Sequence, residues 1–495
     1  MSSNLQPGDP WKSYPPTQED QQRIDKAQEM EKLYEGEFEN ILVRLDRFKA
    51  KFADAQAIRL NFFQVMSQEF SKLLFGEDVE INVPKAHQDV MDELLESTAL
   101  QSKLMQMSDI ASSVGGCPLK AWRDASGKVH IDLVSNSIYF PSFDPDDCTL
   151  LTGQTIAWER IDGDKKYIVR EIHTPGKVRR EVLNEQFEPN DAKYQEWYPG
   201  IPQDTATGYD GMLVEYIPNY RFGNEFWGVS DYVKIKDVVE EIMIRMSSIA
   251  DILDKHARPK QVMPAELLDK IQNMLQEFRN DMVGTGMISR TEADVMTRSG
   301  NLPSNLDAIY VPAEADKGNL PRMVTWDANM TGAMDELDRL FDLFLSLSSM
   351  TPEVFGISKY GVSESGRALK FRNRRTLSEC NRKRQFMLPG LKNIIRAALS
   401  LSGVDINRRD IGIIMQDGLP FDELEATQIS AAWVSAELAT RESAMLNARP
   451  DITRKQAQQE LAEIDAKNAL SQDDGMPTFS RGAVTPDGYN SEEDT

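Results

Sequence analysis

The chain has 495 residues, 40% of them hydrophobic and 27% charged, which excludes disorder throughout and leaves apolar material for sizeable cores. At ~150 residues per domain, the length suggests about three domains. The formal charge is −23, from 56 basic and 79 acidic residues, which excludes a protein that coats nucleic acid with its whole surface.

Cys117, Cys148 and Cys380 are far apart and form no CxxC, so a disulfide framework and a cysteine zinc site are excluded. Reducing surroundings such as a cytoplasm fit best. Met1 to Pro7 has neither the basic stretch nor the apolar core of a signal peptide. No run of ~18 apolar residues exists, and the best candidate, Leu340 to Met350, contains Asp342.

In chain order, residues 1–20 are polar and proline-rich and read as a disordered arm. Gln21 to Phe75 has a helical pattern, with Leu42, Leu45, Phe48 and Phe52 at spacings of three and four. Val79 to Pro84 alternates as a short strand, and Ala86 to Val114 is expected as one helix closed by Gly115-Gly116. Strands follow, over Leu119–Arg123, Val129–Leu133, Thr155–Ile161 and Lys166–His173, separated by turn signals at Ser126-Gly127, Asp162-Gly163 and Pro175-Gly176. Ser230-Asp231 caps a strong helix whose apolar face runs from Ile235 to Leu253 and which stops near Pro259. After a composite stretch with strand-like pieces at 308–312 and 322–326, a second strong helix is expected from Thr331 to Ser348. Met243, Met246, Met334 and Met350 read as core packing on these helices.

A glycine-punctuated segment, Met350 to Gly366, reads as a mobile loop. The chain from Arg367 to Arg384 then carries eight basic residues and one acidic one, a window of +7 that leaves −30 for the rest. The helix containing it is expected from Gly366 to about Leu401, kinked at Pro389-Gly390. Two readings of the basic run stay open: a solvated or salt-bridged face, and a surface facing phosphates. Residues 421–470 are helical again and the last 25 or so read as an acidic tail.

The four histidines are scattered, and neither an HExxH nor a GxSxG occurs. Asp144-Pro-Asp-Asp147 lacks the glycine and terminal glutamate of a calcium loop and reads as a solvated turn. Gly361 to Gly366 has the spacing of a phosphate loop, but Arg367 and Ala368 stand where lysine and Ser/Thr are required. No enzyme activity, metal or cofactor is expected.

Three segments carry a family resemblance: Gly228-Val-Ser-Asp231 at the head of a helix, Trp326-Asp327 before the second long helix, and Ser365-Gly-Arg-Ala-Leu-Lys370 before the basic helix. In their order and spacing they resemble the portal proteins of tailed bacteriophages, of the long-tailed type, over about residues 30–400. The resemblance implies an α+β ring subunit with a helical stem, a mixed α/β wing, a small α/β clip and a helical crown. The wing would be 21–229, the stem helices 230–256 and 331–349, and the clip 257–330. The tunnel loop would be 350–365, the long kinked helix 366–402, the crown 403–470 and the tail 471–495.

The implied function is a homo-oligomeric ring, a dodecamer, at one capsid vertex of a virion. Double-stranded DNA would pass through it during packaging and ejection. The implied partners are the terminase large subunit, the major capsid and scaffold proteins and the neck or adaptor proteins, with no membrane. Ile357, Ser358, Lys359, Tyr360 and Val362 would line the channel, and Arg367, Lys370, Arg374 and Arg375 would face DNA or neighbouring subunits. The alternatives are an acidic adaptor or scaffold without a DNA channel, and a DNA-packaging enzyme, which would need the phosphate loop and clustered acids that are missing.

Overall fold

Thr17 and Asp20 start the first helix, α1 (Gln18–Glu35), by capping each other: Thr17 Oγ1 accepts from the Asp20 amide at 3.1 Å and Asp20 Oδ2 accepts from the Thr17 amide at 3.0 Å. Ile24, Ala27, Met30 and Leu33 form its buried face, and Gly36, at φ 82°, ends it. The helical pattern over 21–75 therefore belongs to three helices, with α2 (Val43–Lys51) and α3 (Phe62–Phe75) following. Gly36 and Asn40 in the left-handed region, and Asn61 as the cap of α3, break the expected continuity. In this computed structural model the described residues are 16–51, 57–147, 150–257, 260–264, 308–311, 322–324, 330–356, 370–416, 423–449 and 452–473, with scattered positions between 273 and 286.

The expected helix over 86–114 is also divided. A short 3-10 turn leads into α4 (Gln88–Thr98), and α5 (Leu100–Val114) follows. Ala99 sits between them at φ 50°, and Thr98 Oγ1 bonds back to the Leu94 carbonyl at 2.7 Å, closing the helix on itself. Gly115, at φ 106°, ends α5 as the sequence suggests.

Helices and sheets both build the chain, an α+β fold with two compact units: Met1–Ser363 with Lys370–Gly418, and Glu364–Leu369 with Leu419–Thr495. In the larger unit β1 (Glu80–Asn82) pairs with β13 (Gly412–Ile414). A three-stranded antiparallel sheet has the order β3-β2-β9, from Val129–Leu133, Gly116–Arg123 and Val214–Pro218. A five-stranded antiparallel sheet runs in sequence order: β4 (Tyr139–Phe143), β5 (Leu151–Asp162), β6 (Lys165–Thr174), β7 (Lys177–Leu183) and β8 (Asp204–Ala206). Helix α6 (Asp191–Trp197) packs beside β7. A small sheet places β10 (Lys260–Pro264) between β11 (Ala308–Val311), parallel to it, and β12 (Arg322–Val324), antiparallel.

The long helices complete this unit. Helix α7 (Tyr232–Ala257) packs along α8 (Met330–Ser348). From α7, Glu240 reaches the start of α2 and accepts from the Arg44 and Leu45 amides at 2.6 and 3.0 Å, supplying a cap that α2 lacks. Helix α9 (Arg374–Leu401) runs unbroken through Pro389 and lies across β2, β3 and β9. The smaller unit contains α10 (Glu423–Ser435), α11 (Arg441–Ala448) and α12 (Arg454–Asp473), so the helical stretch expected at 421–470 is three helices.

Where α9 crosses β9, Gly390 allows the contact: a Cβ there would stand 2.5 Å from Ile217 Cδ1 and 3.2 Å from Glu215 Cγ. Beside it, Glu215 Oε1 accepts from Asn393 Nδ2 at 3.1 Å. Burial pushes the Glu215 carboxyl up to about 7 from its ordinary 4.5, against the Asn393 bond and the more distant Arg408 and Arg221. Between those values the folded chain holds a proton that the unfolded chain releases, so stability falls as pH rises through the window. The loss reaches at most about 3 kcal/mol above it. Glu215→Gln is expected to flatten this pH dependence and to be the more stable protein at pH ~8. Denaturant midpoints across the window check it; parallel curves for the two proteins would refute it.

Candidate functional site

The segment that resembles the portal family at the head of α7 is a close-packed corner. Gly228 lies against Gly115: a Cβ on Gly228 would fall 1.8 Å from the Gly115 carbonyl, and one on Gly115 would fall 2.4 Å from the Gly228 carbonyl. No side chain fits at either position, so the end of α5 and the entry to α7 meet backbone to backbone. Asn219 N–H donates to the Gly115 carbonyl at 2.8 Å and fixes the same corner. Ser230 Oγ accepts from the Tyr232 amide at 3.1 Å, so the expected cap falls to Ser230.

Asp231, the other expected cap, turns inward. Its Oδ2 accepts from Ser112 Oγ at 2.8 Å and from the ammonium of Lys383, which is 0% exposed. Lys383 also stands over the Phe70 ring, 3.8 Å from its centroid. Ser112 Oγ accepts from Ser67 Oγ at 3.0 Å, and Ser67 shares a hydrogen bond of 2.8 Å with Tyr232 Oη. Burial pushes the Tyr232 phenol well above its ordinary range, so it remains a hydroxyl. One network thus joins α3, α5, α7 and α9. The positive end of the α7 dipole adds to the hold on the Asp231 carboxylate.

The basic run divides by helix face. Thr376, Cys380, Lys383, Met387 and Leu391 recur at helical spacing and are all buried. Arg382 pairs with Glu379, its Nε at 3.0 Å, and lies 4.1 Å from the Tyr220 ring centroid. Arg384 donates to the Leu73 carbonyl at 3.1 Å and to that of Gln416. Of the expected DNA-facing or inter-subunit residues, Lys370, Arg374 and Arg375 are exposed at or just before the start of α9. Arg375 donates to the Ser346 carbonyl in the last turn of α8, a cation placed at a helix C-terminus. Arg367 lies outside the described residues, as do the expected channel residues Ile357, Ser358, Lys359, Tyr360 and Val362.

The segment leading toward those channel residues is anchored. Met350 is buried, and the Thr351 amide donates to Thr376 Oγ1 at 3.1 Å. Phe355 lies 6.2 Å from Phe344 by ring centroids, and Gly356 follows at φ 72°. The Asp144 turn closes on itself, with its Oδ1 accepting from the Asp146 and Asp147 amides at 2.9 and 3.3 Å. Among the described residues no cluster of three or more His, Cys, Asp or Glu is placed to hold a metal, and no helix is long and apolar enough to cross a membrane.

The Lys383–Asp231 pair escaped the sequence reading because its partners are 152 positions apart. The available signal was a lysine inside the apolar stripe of a helix. Removing one partner leaves the other charged and buried, so Lys383→Met and Asp231→Asn are each expected to destabilise the chain by roughly 3–5 kcal/mol. The double variant is expected to recover much of that loss, with a coupling of about 1–3 kcal/mol in a double-mutant cycle read by denaturant unfolding. Additive losses would show that the pair is not coupled.

Comparison with known proteins adds the family. The family model described as "Phage portal protein, SPP1 Gp6-like" matches residues 16–472. No curated protein matches. Among solved structures, the chain is similar to one from the virion of a native gene transfer agent particle, at 12% identity and a TM-score of 0.37, covering 82% of this chain and 92% of that one. It is also similar to one from the neck of that native particle, computed with C12 symmetry, at 14% identity and a TM-score of 0.39, covering 83% and 93%. With the family model spanning both the Gly228–Asp231 corner and the basic helix that closes on it, the chain belongs to the SPP1 Gp6-like family of phage portal proteins.

Proposed function

We propose that copies of this chain close into a homo-oligomeric ring, a dodecamer, at one capsid vertex of a virion, and that double-stranded DNA passes through its channel during packaging and ejection. The family match over residues 16–472 carries this reading. In it the chain is a structural conduit without catalysis of its own. Residues 21–229 serve as wing, 230–256 and 331–349 as stem, 257–330 as clip and 403–470 as crown. The clip meets the terminase large subunit and later the neck or adaptor proteins, while major capsid and scaffold proteins surround the ring. The chain is made in the host cytoplasm.

One physical feature supports the ring. Val233 and Leu253 on α7 are 52% and 49% exposed, and Met334 and Leu343 on α8 are each 44% exposed. These apolar side chains find cover against neighbouring subunits when head-to-tail contacts close into a cycle. The charge supports the conduit. Each phosphate neutralised by the wall adds affinity that translocation must break, and a chain of −23 keeps such contacts few.

Negative-stain images and a native mass measurement test the ring: a closed ring with a mass near a dozen times 56.0 kDa is expected. Failure to form a ring, even with capsid and scaffold proteins present, would overturn the assignment. For the channel, replacing Lys359 and Tyr360 together with alanine is expected to lower the amount of DNA packaged per particle several-fold. Unchanged packaging and ejection would remove the contact role of these residues.

A further inference from the structure

The turn that leads into α7 holds a large apolar side chain in water. Its two ends are tied together: Asn219 Nδ2 donates to the Val229 carbonyl at 3.1 Å, and the Val229 amide donates to the Tyr220 carbonyl at 2.9 Å. Phe226 and Trp227 pack against the aromatic cluster of Tyr139 and Tyr216. At the tip the Phe222 carbonyl accepts from the Glu225 amide at 3.3 Å, and Gly223 follows at φ 61°. Phe222 is nevertheless 80% exposed, more than any other large apolar residue described. Beside it, the Arg221 guanidinium lies 5.1 Å from the Phe226 ring centroid, and its buried Nε has no hydrogen-bond partner. A pinned turn that presents an aromatic ring and an unsatisfied guanidinium has the form of an anchor, because little conformational entropy is lost when it binds.

A surface that fits this anchor lies on the other side of α7. Lys234 and Lys236, two residues apart, point to opposite sides of the helix. Lys234 stands 4.8 Å from the Tyr220 ring centroid, at the root of the turn, whereas Lys236 pairs with Glu29 of α1. On the Lys236 side, α1 and α7 border an open groove of about 540 Å³ with Met30 and Val233 as its apolar lining. Its carboxylates, Asp25, Glu29 and Asp237, outnumber the ammoniums of Lys26 and Lys236, so the groove is net negative. The turn has the opposite sign, with Arg221 and Lys234 against Glu225. Anchor and groove on opposite sides of one helix suit a head-to-tail contact, in which each copy offers one surface to the copy before it and the other to the copy after.

We propose that Phe222 of each copy seats in the α1–α7 groove of the next, against Met30 and Val233, with Arg221 facing the groove carboxylates. The contact rests on the ring reading above and adds to it which surfaces meet.

Cross-linking and assembly test it. Phe222→Cys and Val233→Cys copies, purified separately, are mixed during assembly and treated with a short bis-maleimide. Linked dimers are expected from the mixture and not from either variant alone, whereas a chain that covers Phe222 with its own groove gives none. The Phe222→Ala ring is expected to dissociate at a protein concentration about tenfold or more above that of the unaltered ring, read by native mass measurement. An assembled ring without mixed dimers, or a Phe222→Ala ring as stable as the unaltered one, would overturn the contact and leave the ring standing. A stable Phe222→Ala ring that joins fewer capsids would assign Phe222 to another partner and overturn it equally. An unaltered protein that forms no ring would overturn both readings.

Discussion

Lys383 is 0% exposed, a costly charge to bury, and the packing around it follows from how that charge is met. The ammonium reaches Asp231 and the Phe70 face, and Asp231 in turn accepts from Ser112. Four helices must hold their relative positions for this to work: α3 supplies Phe70 and Ser67, α5 supplies Ser112, α7 begins beside Asp231, and α9 carries Lys383. A buried ion pair contributes little net stability, because desolvation offsets most of the attraction. What it imposes is geometry. A misplaced α9 would leave an unpaired charge in the core, whereas a misplaced leucine would cost only packing. The pair therefore fixes how the helix that continues from Asn373 meets the helix that starts at Tyr232.

The basic run shows how one charge pattern serves several purposes once folded on a helix. Lys383 is inside the stripe formed by Thr376, Cys380, Met387 and Leu391. Arg382 and Arg384 lie on either side of it and are spent on Glu379, Tyr220 and two backbone carbonyls. Arg375 closes the last turn of α8. The positive charge of this window is thus committed in part to joining the corner at Asp231, the C-terminus of α3 and the end of α8. The two readings left open by composition are not exclusive, because the faces of the helix differ.

The segments at 119–123, 129–133, 155–161 and 166–173 were legible as strands, because they alternate or carry β-branched residues between turn signals. The break at Ala99 was not legible, since alanine is the strongest helix former and only tertiary burial of both α4 and α5 selects its left-handed conformation. The helix continues on both sides of Pro389, and the adjacent Gly390 brings it close to β9. The Gly228–Asp231 motif was legible because each of its demanding positions tolerates few residues: Gly228 has no room for a Cβ, Ser230 caps, and Asp231 meets Lys383. The ion pair of Lys120 with Glu171 was not, because it joins two sheets and alternation says which residues share a face but not which face they meet.

The smaller unit also bears on assembly. Among its described residues only Ser430, Ala444 and Ala457 are buried, while Trp433 is 41% and Leu438 is 77% exposed. Hydrophobic stabilisation scales with apolar area removed from water, and alanines remove little. Ion pairs such as Arg449–Glu460 at 2.7 Å and Arg454–Glu442 at 3.0 Å join α11 to α12, and Asn447 donates to Ser430 of α10 at 2.9 Å, but the ion pairs are solvent-exposed and such pairs contribute about 0–1 kcal/mol each. Three helices so joined gain little beyond the entropy they lose on ordering. Their apolar side chains and those left open on α7 and α8 pose the same physical problem, and a closed ring of identical subunits answers both by covering each copy with the next.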